Sequence, residues 1–311
     1  DSNTGWAVGN ASASSGNYSA IRKTTDGGSS WSTVIIVSGA DLNEVVAINS
    51  DKAFFIGNEV WGTINGGLGG LTFYSAGSQD WNSADFIDSN TGYVVGSGGE
   101  IIKTADGGDN WTVQTSGTTT GLLSVHFVNS NTGWAVGWNG TILNTTDGGS
   151  TWSTQTSGTT KRLTGVYFID SNIGWAVGNN ATIIKTTDGG SNWSSQSASA
   201  DDLHDVYFID SNTGWAAGMY GDIIKTNDGG ATWFSESSGT TKNINSIHMY
   251  DLDTGWIVGN SGLVIKYTDT TAPTVTSVSS TVDNGTYGIG SVIPITVTFD
   301  ESVIVTGTPK L

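Results

Sequence analysis

The chain has 311 residues, no cysteine, and a formal net charge of −17 from 28 acidic and 11 basic residues. Without cysteine there can be neither a disulfide nor a thiolate metal site. So few Lys and Arg residues argue against binding to nucleic acid or to an anionic membrane surface, because both need clustered basic side chains. No run approaches 18 apolar residues, so no membrane insertion is predicted.

A unit of 40 or 41 residues recurs along the chain. At its centre an Asp-Gly-Gly turn follows two apolar residues, and a Trp comes five residues after the Asp. The intact pairs are Asp26 and Trp31, Asp106 and Trp111, Asp147 and Trp152, Asp188 and Trp193, and Asp228 and Trp233. A degenerate copy at 65–67 and a last copy ending at Asp269 bring the predicted number of units to seven.

The Asp-Gly-Gly turn predicts a β-hairpin, because glycine reaches positive φ without a steric clash. The Asp carboxylate can accept hydrogen bonds from the backbone N–H groups of its own turn. The Trp is expected on the returning strand, buried against the sheet. We interpret the motif as structural, since the hairpin corners of separate repeats point apart and bring no carboxylates together.

Within each unit, four short runs follow one another. In the fifth copy the first run contains Leu163, Val166 and Phe168; a polar turn, a Gly-Trp-Ala-Val-Gly run, an Ile-Ile-Lys-Thr run and the Asp hairpin follow. The first copy begins at its second run. Each run has strand character and no window has helical periodicity. Four strands in each of seven units predict an all-β, seven-bladed β-propeller over residues 1–271, with a first blade that lacks its innermost strand.

The pattern Thr-x-Asp-x-Gly-x-x-Trp resembles the Asp-box (BNR) repeat of sialidases. Together with Phe-Ile-Asp-Ser-Asn-Thr-Gly-Trp-Ala-Val-Gly and Ile-Ile-Lys-Thr-Thr-Asp-Gly-Gly, it is similar to the photosystem II stability/assembly factor-type repeat, from residue 1 to about 270. This resemblance implies a propeller of the sialidase-like superfamily. It also implies a role as an assembly factor that acts on a membrane complex.

After Thr271 the repeat stops and all three prolines occur. Thr271 to Val275 and Ile295 to Glu301 resemble the opening half of bacterial Ig-like modules. Residues 272–311 are too few to close a sandwich of about 100 residues, so we predict a partial Ig-like domain or tail. Residues 273–280 are predicted to fill the vacant outer-strand position of the seventh blade.

Catalysis is not predicted. A sialidase of this kind needs three arginines to hold the substrate carboxylate, and the chain has only Arg22 and Arg162. The alternative is a polysaccharide-acting, xyloglucanase-like glycoside hydrolase with paired carboxylates roughly 5–10 Å apart. Its candidate acids are Asp85 and Asp205, which lie in first strands near the channel mouth.

No cofactor or metal site is predicted. Asp and Asn oxygens could bind calcium, but no EF-hand-like spacing supports a site. His126 and His248 occupy the repeat position of Tyr167 and Tyr207, so a flat packing group is expected there. The Lys of the Ile-Ile-Lys-Thr run is expected to be a strand-surface residue.

The loops that vary between repeats share one face of the propeller, opposite the Asp hairpins, and such loops are where a scaffold carries recognition. The ligand-binding candidates on this face are Trp138, Lys161, Arg162, Met219 and Tyr220. We predict a non-catalytic binding or scaffold module of a secreted or cell-surface bacterial protein. It would recognise a glycan or a protein as a monomeric part of a larger multidomain chain. The alternatives are the glycoside hydrolase and a photosystem II assembly factor-like chaperone of a membrane complex.

Overall fold

The computed structural model describes residues 3–13, 16–66, 72–74, 80–252, 254–268, 275–281 and 294–299. Strands in these ranges form seven antiparallel sheets that follow one another along the chain, and a separate two-stranded sheet. Each sheet packs on the next, and the last meets the first where Trp256 lies edge-on to Trp31. This confirms the seven-bladed propeller. No helix in the described ranges is long and apolar enough to cross a membrane.

The strands are numbered in chain order and grouped by blade. Blades 1 to 4 contain β1 (Gly5–Ala13), β2 (Gly16–Thr24), β3 (Ser32–Ser38); β4 (Leu42–Ala47), β5 (Ala53–Gly57), β6 (Val60–Thr63), β7 (Thr72–Tyr74); β8 (Trp81–Phe86), β9 (Gly92–Gly96), β10 (Ile101–Thr104), β11 (Thr112–Gln114); β12 (Leu122–Phe127), β13 (Gly133–Gly137), β14 (Ile142–Thr145), β15 (Ser153–Gln155). Blades 5 to 7 contain β16 (Leu163–Phe168), β17 (Gly174–Gly178), β18 (Thr182–Thr186), β19 (Ser194–Gln196); β20 (Leu203–Phe208), β21 (Gly214–Gly218), β22 (Asp222–Thr226), β23 (Phe234–Ser237); β24 (Ile244–Met249), β25 (Thr254–Gly259), β26 (Leu263–Thr268). Short 3-10 turns span Ser97–Gly99, Trp138–Gly140, Met219–Gly221 and Asn260–Gly262.

The second strands of blades 4, 5 and 6 are buried along their whole length, because the neighbouring blades cover both faces of each strand. This explains why these strands read as continuous apolar runs rather than as an alternation. The outer strands, such as Ser194–Gln196, are largely exposed and polar. The core of the molecule is therefore a series of interfaces between blades.

Aromatic rings fill these interfaces. The second-strand Trp175 of blade 5 stacks on the first-strand Phe208 of blade 6, with ring centroids 3.5 Å apart and planes 8° from parallel. The Asp-hairpin Trp233 of blade 6 packs edge-on against Phe208 at 5.9 Å. Trp134, Phe168 and Trp193 repeat the arrangement between blades 4 and 5. Large rings in stacked and edge-on contact therefore pack these interfaces.

Each Asp hairpin is held by its own carboxylate. Asp188 Oδ1 accepts hydrogen bonds from the Asn192 backbone N–H at 2.8 Å and from the Thr186 hydroxyl at 2.9 Å. Asp188 Oδ2 accepts a third from the Asn192 side-chain amide at 2.7 Å. The other intact copies repeat these bonds, which confirms the structural interpretation of the turn. Each tryptophan lies one residue before the outer strand, and not on it as predicted.

The hairpin carboxylates make stability sensitive to acid. Hydrogen bonds from the Ser30 side chain and backbone, and then from Thr24, lower the pKa of Asp26 from 3.8 to about 2. The pKa values of Asp106, Asp147 and Asp188 are lowered for the same reason. A group with a depressed folded-state pKa contributes stability above its unfolded pKa and loses it as the pH falls. We expect the free energy of unfolding to drop between pH 3.8 and about 2.

Denaturant titration followed by Trp fluorescence at several acidic pH values measures this drop. In the Asp26→Asn variant, the part of the decline that Asp26 contributes should disappear. A decline of unchanged steepness in that variant would contradict the assignment.

The repeated lysine lies on a strand and also makes contacts within its blade and with the next one. Lys185 Nζ lies 5.1 Å from the centre of the Trp175 ring and donates a hydrogen bond to the Gly229 carbonyl of the next blade at 2.8 Å. Lys103 makes the same pair of contacts with Tyr93 and Gly148. The lysine thus caps an aromatic ring of one blade and holds the Asp hairpin of the next.

The prediction that residues 273–280 complete blade 7 was also wrong. β27 (Val275–Ser280) pairs with β28 (Ile295–Phe299) in the separate sheet, and the described strands of blade 7 number three. The backbone groups of β27 find their partners in β28, whose register pairs Val278 with Val297. Most of the predicted Ig-like tail lies outside the described residues, so its fold stays a prediction.

Candidate functional site

The first strands of blades 2 to 7 line the channel, and the predicted acids lie there. Asp85 Oδ2 accepts a hydrogen bond from the Phe127 N–H of the next blade at 2.6 Å and lies 3.6 Å from His126 Nδ1. Asp205 accepts from the N–H groups of Val206 and, in the next blade, Ile247, at 2.8 and 3.0 Å. Both carboxylates are therefore engaged by the backbone.

Other channel residues make the same kind of bond. The Ser83 hydroxyl accepts from the Val125 N–H, and the Ser124 hydroxyl accepts from the Val166 N–H, both at 3.3 Å. First strands of neighbouring blades do not pair directly, so these side chains satisfy backbone groups that would otherwise lack a partner. This shared arrangement assigns Asp85 and Asp205 a structural role and does not support the glycoside hydrolase alternative.

The histidines of the channel pack as predicted. The His126 ring stacks on Tyr167 at 4.6 Å, and the arc continues from Tyr167 to Tyr207 and from Tyr207 to His248, each at 5.0 Å. His126 Nε2 also hydrogen-bonds the Phe168 carbonyl at 2.9 Å. In the described ranges no group of three or more His, Asp or Glu residues is arranged to hold a metal ion.

Glu44, on the first strand of blade 2, is a channel acid whose pKa is raised by burial. Burial raises its pKa from 4.5 to about 8, against the hydrogen bond that it accepts from the Ala84 N–H at 2.8 Å. Because the unfolded state ionises at lower pH than the folded state, stability should decline as the pH rises from 4.5 to about 8. Glu44→Gln keeps an acceptor for Ala84 without the charge, so we expect its stability to be flatter over this range. Denaturant titrations of the unsubstituted protein and the variant at pH 5 to 9 would measure this difference. Parallel declines of the free energy of unfolding in the two proteins would contradict the assignment.

The opposite ends of the strands form two distinct faces, as predicted. On one face, the Asp hairpin meets the turn between the first two strands, as where the Gly189 N–H donates to the Asn172 carbonyl at 2.9 Å. On the other, the turn between strands two and three meets the link between blades, as where the Asn179 N–H donates to the Arg162 carbonyl at 3.0 Å. The predicted ligand-binding residues all belong to this second, variable face.

Trp138 and Arg162 form a stacked pair on the variable face. Trp138, at the tip of the β13–β14 turn, is 46% exposed, and the Arg162 guanidinium carbon lies 4.4 Å from its ring centre. Burial lowers the pKa of Arg162, while the charge of Asp202 acts in the opposite direction. The exposed Lys161 precedes Arg162 in the same link. A flat, partly buried cation is therefore held against an exposed indole on this face.

The contacts continue along the variable face from blades 4 and 5 to blade 6. The Asp202 carboxylate accepts a hydrogen bond from the Asn180 N–H at 2.7 Å. The preceding residue, Asn179, is the one that donates to the Arg162 carbonyl. The Asp202 carbonyl accepts another from the Met219 N–H at 2.9 Å. We call the continuous surface formed by these contacts the ridge, and define it by Trp138, Lys161, Arg162, Asp202, Met219 and Tyr220. The sequence predicted all of these except Asp202 as binding residues.

Tyr220 has an unusual backbone conformation. Its φ is +56°, a left-handed value that costs a bulky residue roughly 1 kcal/mol. The same turn position holds Gly98, Asn139 and Ser261 in other blades, and Tyr220 itself is 63% exposed. A large side chain is thus kept where a small residue would fit better and where it makes little buried contact. Strain of this kind concentrates at functional sites.

The fold and this geometry can be set beside known proteins. A family model described as photosynthesis system II assembly factor YCF48 matches residues 78–154, 114–196, 156–210 and 195–268, which together cover more than half of the 311 residues. That description is of an assembly factor, and it confirms the prediction that the propeller is not an enzyme. No curated protein matches the sequence.

Several solved structures are similar in fold. A structure of YCF48 bound to a D1 peptide has 21% identity and a TM-score of 0.70, covering 86% of this chain and 91% of that one. YCF48 from Cyanidioschyzon merolae has 19% identity and a TM-score of 0.65, covering 81% and 91%. The C-terminal WD40 domain of Sif2 has 11% identity and a TM-score of 0.63, covering 86% and 78%. Identities this low establish the shared propeller fold alone.

Proposed function

Because the chain belongs to the photosynthesis system II assembly factor YCF48 family, we propose that it is a non-catalytic propeller that holds a peptide of a protein partner along the ridge. The YCF48 structure with a D1 peptide supports a peptide as the class of ligand. This proposal takes up the assembly factor-like alternative in preference to glycan binding. It keeps the predicted residues Trp138, Arg162, Met219 and Tyr220 as the binding surface.

The stacked pair of Trp138 and Arg162 carries the proposal. A guanidinium held over an indole is preorganised, so it can donate paired hydrogen bonds to a carboxylate with little further loss of side-chain entropy. Trp, Tyr and Arg are also the residues that most often dominate binding energy at protein interfaces. In a chain with 28 acidic residues and only two arginines, this arginine lies on the variable face beside an exposed ring.

Binding to short synthetic peptides, with either a free or an amidated carboxyl terminus, would test the proposal alongside a glycan array. We expect retention of peptides and a preference for those with a carboxylate. Trp138→Ala and Arg162→Lys should each weaken binding about tenfold or more, since lysine keeps the charge but not the planar stack. Binding of glycans alone, or peptide affinities unchanged in both variants, would contradict it.

Tyr220 gives a prediction in which stability and binding change in opposite directions. Tyr220→Asn should raise the free energy of unfolding by roughly 0.5–1 kcal/mol, because asparagine tolerates positive φ better, while it weakens peptide binding. Denaturant titration and peptide titration measure the two effects. Tyr250→Ala is the matched control, since Tyr250 is equally exposed at 63% but lies on the Asp-hairpin face. A Tyr220→Asn protein that is less stable and binds normally would contradict a role for Tyr220.

A further inference from the structure

The two residues before the first strand of a blade, here called its link pair, are held in the same way in blades 4 to 7. In each of these blades the carbonyl of the second residue accepts a hydrogen bond, 2.9–3.1 Å long, from the N–H that opens the turn between strands two and three. The acceptors are Gly121, Arg162, Asp202 and Asn243, and the donors are Trp138, Asn179, Met219 and Asn260. Because this bond needs only a backbone carbonyl, it does not dictate the side chains of a link pair.

The side chains of the link pairs differ in charge from blade to blade. The pairs are Thr120–Gly121, Lys161–Arg162, Asp201–Asp202 and Lys242–Asn243, which are in turn neutral, positive, negative and positive. In the three charged pairs the first residue is exposed and the second is partly buried. Three of the 11 basic residues of the chain therefore lie in two link pairs, on either side of a pair that is wholly acidic.

These charges do not neutralise one another. Both ion pairs among the residues that the structure describes lie elsewhere, one in the channel and one between β22 and β23. Arg162 stacks on Trp138 instead of pairing with the acids of the next link pair. The Asp202 carboxylate accepts its hydrogen bond from the Asn180 N–H. Contacts with uncharged groups thus orient the charges and leave them to a ligand.

The charged link pairs are neighbours on the variable face. The first strands of blades 5, 6 and 7 touch at this end, where the Thr164 hydroxyl donates to the Leu203 carbonyl at 2.6 Å and His204 Nδ1 hydrogen-bonds the Ile244 carbonyl at 2.7 Å. Leu203 and Ile244 come directly after the link pairs of blades 6 and 7. The three pairs therefore lie side by side in the order positive, negative, positive, and the pair of blade 7 adjoins the ridge.

We propose that the link pairs of blades 5 to 7 select, among the peptides that the proposed function assigns to the ridge, those with charges in the order acidic, basic, acidic. The selection rests on the proposed function and defines its class of peptide. An acidic side chain or a terminal carboxylate lies at the link pair of blade 5, a basic side chain at that of blade 6, and a second acidic side chain at that of blade 7. Complementary charges raise the association rate and exclude partners that place like charges opposite each other.

Labelled peptides titrated into the full chain test the order of the charges. Side chains on one face of an extended peptide recur every second residue, about 6.6–6.8 Å apart. Peptides of the form Glu-x-Lys-x-Glu, with one, two or three residues between the charges, therefore cover a range of separations. Each is compared with its permutation Glu-x-Glu-x-Lys, which has the same composition and net charge. We expect the ordered peptide of the best spacing to bind about threefold or more tightly than its permutation, with a smaller preference at high salt.

Asp201→Lys tests the middle charge of the order. The hydrogen bonds that the structure shows for Asp201 are made by its backbone, with the Asp222 carboxylate and the Ala181 N–H, so this variant should stay folded. It should bind Glu-x-Lys-x-Glu about threefold or more weakly, and Glu-x-Glu-x-Glu more tightly, than the unsubstituted protein does. Asp109→Lys is the matched control, because it makes the same change of net charge at an exposed residue of an Asp hairpin and should alter neither affinity.

Equal affinities of the ordered and permuted peptides, or equal effects of Asp201→Lys and Asp109→Lys, would overturn the selection by charge. If Trp138→Ala still weakened peptide binding in that case, the proposed function would stand without the selection. If no peptide bound at all, both would fall. A dimer of the free protein that Asp201→Lys dissociates would also overturn the selection, because these charges would then serve contact with a second copy of the chain.

Discussion

Replacing Trp175 by alanine is expected to lower the free energy of unfolding by about 3–5 kcal/mol. The Trp175 side chain is 0% exposed and stacks on Phe208 at 3.5 Å. Its indole N–H donates to the Gly229 carbonyl at 3.1 Å, so the substitution also removes a hydrogen bond between blades 5 and 6. The loss combines a large cavity with the loss of one of the two hydrogen bonds that the Gly229 carbonyl accepts, the other being donated by Lys185.

Denaturant titration followed by circular dichroism would measure the change. Trp138→Ala is the matched control, because Trp138 is 46% exposed and should change the free energy of unfolding by no more than about 1 kcal/mol. Similar losses in the two variants would show that stability does not lie in the interfaces between blades.

The second large effect is expected from Gly178→Ala. The new Cβ would lie 1.9 Å from the Arg162 carbonyl oxygen, which is backbone and cannot rotate away. We expect a loss of about 1–3 kcal/mol from the forced shift of the strand or the link. Since the link carries Arg162, the shift should also disturb its stacking on Trp138 and weaken peptide binding at the ridge.

Gly9→Ala is the control for Gly178→Ala, because it makes the same change at the same repeat position. No atom lies within 4 Å of its Cβ, so stability should be unchanged or slightly higher. Thermal and denaturant unfolding of the two variants can be compared directly. An equal loss in both would mean that the glycine is needed for local backbone conformation and not for close approach.

The blade count and the Asp hairpins could be predicted because their determinants are local. A turn such as that around Asp188 is set by residues at most four positions apart, and it recurs at a fixed period. The hairpin of each unit can therefore be predicted from its own short stretch of sequence. The stacking of second-strand aromatic rings between buried sheets follows from the same repeated pattern.

Contacts between blades could not be predicted in the same way. The bond from Lys185 to Gly229 and the bond from the Phe127 N–H to Asp85 join residues more than 40 positions apart. A lysine or an aspartate in a strand has many alternative hydrogen-bond partners, and the residues next to it in sequence do not determine which of them it contacts. The prediction that Val275–Ser280 pairs with blade 7 was wrong for this reason, because a strand with an alternating pattern can pair with any open strand edge.

The ridge was predicted in part. Trp138 and Tyr220 stood out because large apolar residues are rare at turn tips, but the stacking of Arg162 on Trp138 and the linking role of Asp202 needed coordinates. The strain at Tyr220 had a signal in the sequence. Gly98 and Asn139 at the same repeat position already indicate a left-handed backbone there.

Hydrogen exchange of the chain, with and without the short synthetic peptide that binds it most tightly, tests the central claim that recognition occurs on the ridge and not at the Asp hairpins. The account predicts slower exchange in the turns Trp138–Gly140 and Met219–Gly221, and unchanged exchange at the hairpins around Asp147 and Asp228. Protection confined to the hairpins, with the two turns unaffected, would contradict it.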